Sequence, residues 1–148
     1  MRKALLDTST YLDLRRAGKS RRQLWAQNTL RHAIAYRDEY PKLTISAYTV
    51  FEALEGIYRD AIPGADEEFI TKVLPGFEIV YPDQKVLALG AKINATLAVG
   101  RQSIGIVDAL IAATAIHHDL TLVMANTRHF PRVIAAGFPL TLTNWREA

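Results

Sequence analysis

Apolar residues along the chain fall into two patterns. Short unbroken runs read as buried strands: "KALLD" at residues 3–7, "KLTISA" at 42–47, "FEIVY" at 77–81, "LTLVMA" at 120–125 and "LTLT" at 140–143. Between them lie longer stretches with helical spacing. "SRRQLWAQNTLRHAIAYRDEY" repeats through Leu24, Trp25, Leu30, Ile34 and Tyr36 and stops before Pro41. "TVFEALEGIYRD" and "ADEEFITKVL" predict two more helices, the latter with acids in its first turn, where the helix dipole favours them. "DQKVLALGAKINATLAV" predicts a long one that ends at Gly100, and "RHFPRVIAAG" a short one. The segment from Ile104 to Ile116 is apolar or small almost throughout, which predicts a buried helix, yet Asp108 stands in it. Strands alternating with helices predict an α/β fold, one domain whose mostly parallel central sheet has four to five short strands.

The 148 residues suit a single domain over residues 1–148, with no repeat, linker or low-complexity segment. Hydrophobic residues at 49% and charged residues at 22% are those of an ordinary globular protein. There is no cysteine, which excludes thiolate chemistry and a disulfide framework and suits a reducing cytoplasm. The N-terminal apolar run is short and broken by Asp7, so neither a signal peptide nor a membrane-spanning helix is expected. Net charge is only +3, but residues 1–37 carry +7 and the rest −4. Arg15, Arg16, Lys19, Arg21, Arg22, Arg31 and Arg37 in that basic stretch are candidates to attract a polyanion such as nucleic acid; a solvated helix face is the plainer reading.

The charge inside the Asp108 segment needs a reason, because a buried carboxylate without compensation is costly. Asp7 ends the first strand, Glu52 lies in the first turn of the helix after the second, Asp108 opens its own helix, and Asn126 ends the strand "LTLVMA". In a parallel α/β sheet such handovers gather at the carboxyl edge, where ligands bind. Two bare carboxylates about 4 Å apart repel by roughly 4 kcal/mol at an effective dielectric near 20. A converging set therefore calls for shared protons or a cation. Oxygen donors alone suit a hard ion, Mg²⁺ or Mn²⁺, which leaves open positions for phosphate oxygens.

Each residue also has a structural reading. "TVFE" from Thr49 to Glu52 matches a capping box, which leaves Glu55 as an alternative ligand one turn along. Asp7 suits a cap for the next helix, Asp108 a helix N-terminus and Asn126 a turn.

"LLDTSTYLD", "TISAYTVFEALEG" and "IGIVDALIAATAIHHDLTLVMANTRHF" resemble, in order and spacing, the three motif blocks of the PIN-domain nucleases, and among them the VapC-type toxins. The resemblance spans nearly the whole chain. It implies a Mg²⁺- or Mn²⁺-dependent endoribonuclease with Asp7, Glu52 and Asp108 as catalytic metal ligands, Asn126 as a neutral fourth, and Ser9 in support. Glu52 is preferred over Glu55 because it lies four residues before Gly56, as in the family. Met124 stands where the family commonly has Thr, which predicts a hydroxyl missing from the site rim. His129 is given no catalytic role. Arg15, Arg16, Arg21, Arg22 and Arg128 are the candidates to track the RNA backbone. The implied partners are an RNA substrate and a small antitoxin of VapB type, with apolar surface around Trp25 and Ile57 for its groove or for a homodimer face. Two other classes stay open: a PIN-like module that binds RNA or protein without cutting, or a PIN nuclease with no antitoxin. A haloacid-dehalogenase phosphatase fits poorly, because it wants a second Asp where this chain has Ser9.

Overall fold

The computed structural model describes residues 1–148. The chain runs β1 (Ala4–Leu6), α1 (Thr8–Ala17), α2 (Leu24–Glu39), β2 (Leu43–Ser46), α3 (Ala47–Asp60), α4 (Ala65–Glu68), β3 (Phe77–Val80), α5 (Gln84–Val99), α6 (Ile106–His117), β4 (Thr121–Val123), α7 (Phe130–Ala135) and β5 (Leu142–Thr143). All five strands are parallel, in the order β3-β2-β1-β4-β5. No helix is long and apolar enough to cross a membrane.

Strand β1 shows how the layers form. Successive side chains point to opposite faces. Leu5 enters one core, with Ile93, Ile111, Leu122 and Phe130, under α5, α6 and α7. Ala4 and Leu6 enter the other, with Tyr11, Tyr36, Ile45 and Trp145, under α1 and α2. Burial on both faces is why the strands read as unbroken apolar runs. Helices α5 and α6 cross closely. A Cβ built on Gly90 would lie 2.6 Å from Leu110 Cδ2, so any larger residue there would have to push the Leu110 side chain aside. That contact seats the helix that carries Asp108.

Several details differ from the pattern. Helix α1 was not among the elements read from hydrophobic spacing; it buries Thr10, Tyr11, Asp13 and Ala17, a face half polar. Helix α2 starts at Leu24, and its buried residues are Ala26, Asn28, Thr29, Ala33 and Tyr36. Leu24 and Ile34 from the apolar stripe are instead 69% and 65% exposed. The inner face of α2 thus mixes small and polar side chains with the one large ring of Tyr36, which the apolar stripe does include. The single helix expected from Ala65 to Leu74 loosens after α4 into a π-helical turn at Phe69–Val73 and a 3₁₀ turn at Leu74–Gly76.

Candidate active site at the carboxyl edge of the sheet

Asp7 follows β1 directly and caps α1, its Oδ1 accepting from the Thr10 amide at 2.8 Å. The Ser9 hydroxyl lies 2.8 Å and 2.7 Å from the two carboxylate oxygens of Asp7 and accepts from the Ala125 amide at 3.3 Å. Ser9 thereby ties the end of β1 to the loop after β4. Asp7 is 3% exposed and has no ion-pair partner. Burial pushes its carboxyl up to about 6; the hydrogen bonds from Thr10 and Ser9 oppose this, and the nearby charge of Asp108 adds to it.

Glu52 is placed differently from its sequence reading. Strand β2 gives way to helix three residues earlier than the capping-box pattern implies. Ser46 is the N-cap, accepting from the Thr49 amide, and Glu52 is the sixth helical residue. Glu52 therefore does not cap. Its Oε1 accepts from the Thr8 hydroxyl at 2.5 Å, and Thr8 Oγ1 lies 3.0 Å from Thr49 Oγ1. Thr8 has one hydroxyl hydrogen, and the Glu52 carboxylate uses it, so Thr49 donates to Thr8. A short hydroxyl relay from the buried Thr49 holds Glu52 against the start of α1. Glu55 points elsewhere, into an exposed pair with Arg59.

Asp108 is the third residue of α6, in its first turn. Residues Ala109 and Ile111 to Ala115 are buried, but the Asp108 side chain is 25% exposed, so it reaches solvent and does not enter the core. Its Oδ2 meets His129 Nδ1 at 2.8 Å. Asn126 lies in the loop beyond β4, which ends at Val123. Asn126 Oδ1 accepts from the Arg128 amide at 2.9 Å and more weakly from His129, and its Nδ2 lies 3.1 Å from His129 Nδ1. His129 was set aside on sequence grounds; its spacing of three from Asn126 is the only signal that could have drawn attention to it. Met124 is buried in the core beside Phe130 and does not reach the site rim.

The fold thus brings Asp7, Glu52, Asp108, Asn126 and Ser9 to one edge, linked through Thr8 beside Asp7, the Ser9–Ala125 bond and the ring of His129. No three acidic or histidine side chains close on a single point as they stand. The donor set nonetheless suits a hard cation: three carboxylates, none paired with a lysine or arginine, and Asp7 disfavoured in its charged form by its surroundings. A cleft of about 640 Å³ opens beside Thr8 and Glu52, with Arg15 and Arg16 of α1 on its wall and Ile57 and Phe69 at its apolar side. Arg128 adjoins Asn126 in the loop. Arg21 and Arg22 are exposed in the turn between α1 and α2, with no contact to the site residues.

The likeness to known proteins agrees with this frame. The DNA-bound VapBC of Salmonella typhimurium has a chain 22% identical to this one, covering 98% of this chain and 99% of that one, with a TM-score of 0.75. VapBC-1 of nontypeable Haemophilus influenzae matches at 21% identity, 97% and 98% coverage and a TM-score of 0.75. VapBC2 of Rickettsia felis, bound to a promoter DNA fragment, matches at 22% identity, 96% and 98% coverage and the same score. A search by sequence among curated proteins finds no match. The PIN domain model matches residues 4–135, which spans the sheet through β4, every acid of the site and α7. The chain belongs to the PIN domain family.

Proposed function

We propose that this protein is a Mg²⁺- or Mn²⁺-dependent endoribonuclease and the toxin of a toxin–antitoxin pair. The observation that carries the reading is the set of three carboxylates, Asp7, Glu52 and Asp108, brought to the carboxyl edge with no lysine or arginine paired to them. Those three side chains hold the cation, with Asn126 beside them and Ser9 fixing Asp7. When bound, a divalent cation supplies Lewis-acid activation of the scissile phosphodiester and of the attacking water. Arg15 and Arg16 on the cleft wall and Arg128 on the loop accept the RNA backbone at either side of these acids, and Arg21 and Arg22 extend that basic surface. The fold match over nearly the full chain to the VapBC chains named above, and to a chain of a toxin–antitoxin complex from Klebsiella pneumoniae, supports a small antitoxin of VapB type here. Leu24 and Ile34 on α2, with Phe51 and Tyr58 on α3, leave apolar surface for that partner or for a homodimer, and the site of action is the cytoplasm.

The test is expression from a tight promoter paired with a cleavage assay. Wild type arrests growth and cuts structured RNA with Mg²⁺ or Mn²⁺ but not with EDTA, and Asp108→Asn does neither while keeping its fold. EDTA-insensitive cutting equal in both proteins defeats the metal mechanism. Normal growth with intact metal-dependent cutting defeats only the toxin reading.

A further inference from the structure

The loop after β4 uses Asn126 and His129 in a way the family resemblance does not imply. An ionised Asp108 can only accept a hydrogen bond, so its 2.8 Å contact with His129 requires a hydrogen on Nδ1. Nδ1 has one in-plane position, and that hydrogen fills it. The Asn126 amide nitrogen at 3.1 Å then rests against the ring edge without a bond. Meanwhile Asn126 Oδ1, the atom a cation would need, is committed to the amides of Arg128 and His129. Asp108 Oδ2 is held by His129, whereas Oδ1 carries no hydrogen bond from the protein.

We propose that His129 is the positioning residue of Asp108, its Nδ1–H clamping Oδ2 so that Oδ1 faces the cation, and that Asn126 serves as the lock on the His129 loop rather than as a metal ligand. The proposal rests on the reading of Asp108 as a cation ligand. It assigns the neutral fourth residue a mechanical task. An amide bridging two successive backbone N–H groups fixes the turn from which His129 projects, and the ring then transmits that order to the carboxylate.

Mn²⁺ titration calorimetry on the full chain tests it, with thermal unfolding as the folding control. His129→Leu keeps the bulk but removes the donor, and it weakens Mn²⁺ binding about 10- to 100-fold, the usual cost of losing a partner that orients a ligand. His129→Asn places an amide N–H near the Nδ1 position and restores most of that affinity, a rescue that mere packing does not give. Asn126→Ala also weakens binding in the wild-type background, but adds nothing in the His129→Leu background, because its effect runs through the ring. Independent, additive losses make Asn126 a ligand and overturn the second half of the proposal. Equal affinity in His129→Leu and wild type overturns the first half. A wild type that binds no Mn²⁺ removes the cation site itself. Nitrogen-15 spectra of the histidine rings read the same point without relying on a variant's stability. His129, identified by its loss in His129→Asn, shows a protonated Nδ1; a bare Nδ1 with the hydrogen on Nε2 overturns the clamp.

Discussion

Asp7 and Asp13 lie six residues apart at the start and on the inner face of the same helix, and both are 3% exposed. Their surroundings differ in one respect. Asp13 receives the Arg146 guanidinium on both oxygens, at 2.6 Å and 2.7 Å, and that guanidinium also lies 5.4 Å from the centre of the Trp25 ring. The pairing holds Arg146 above its ordinary basicity. Asp7 has two hydroxyl contacts and one amide but no cation. Equal burial therefore does not mark function. A carboxylate closed by a fork of two charge-assisted bonds is a clasp, and one left with neutral donors is a charge awaiting a ligand.

Turning Asp13 into a second Asp7 is the strongest way to break the contrast. Arg146→Met strands a buried carboxylate and destabilises the fold by roughly 3 kcal/mol, the low end of such losses, because the guanidinium side is half exposed. Urea unfolding measures it, and adding Asp13→Asn recovers most of the loss. If Arg146→Met unfolds like wild type, the clasp contributes nothing.

The next effect sharpens the other side. Because the folded pKa of Asp7 lies above its unfolded value, the native state holds the extra proton between about pH 4 and pH 6. Stability of the metal-free protein then falls as pH rises through that window, by about 2–3 kcal/mol relative to Asp7→Asn. Asn caps a helix nearly as well as Asp, so the comparison isolates the charge. Unfolding curves in EDTA across pH 4–8 give the answer, and parallel profiles for the two proteins reject it. The smallest effect concerns Glu52. Thr8→Val keeps the shape, removes the hydroxyl that holds Oε1, and lowers Mn²⁺ affinity by roughly tenfold in calorimetry. Unchanged affinity separates Thr8 from the site.

Much of this frame is legible in the sequence. The five strands and the placement of Asp7 and Asp108 follow from apolar runs and handovers, because burial on both faces leaves a strong signature. What the sequence hides follows a physical pattern too. The Thr49–Glu52 spacing matches a capping box, but the box depends on where β2 lets go, and Ser46 takes the cap three residues earlier. Helix α2 shows Leu24 and Ile34 in its apolar stripe, yet it buries Asn28 and Thr29 beside Tyr36, because hydrogen bonds to the chain end at Trp145 and Arg146 turn that face inward. The Asp13–Arg146 pair joins residues 133 apart, a separation no local pattern registers. His129 looked incidental because its role depends on a carboxylate 21 residues upstream, across a strand and a turn.

Strand β1 has a hydrogen-bonded neighbour on each side, and the Asp7 amide itself donates to the Val123 carbonyl at 2.9 Å. Its amides exchange with solvent only when the sheet comes apart, at the slow limit set by global opening. Asn126 and His129 ride on an irregular stretch outside the sheet, where local opening costs less than parting the strands. The two halves of the site thus keep different clocks. Asp7 is fixed for the lifetime of the fold, and the Asp108 carboxylate loses its clamp each time the loop opens, so the rate at which the site assembles is a property of the six residues between Val123 and Phe130 and not of the sheet beneath them.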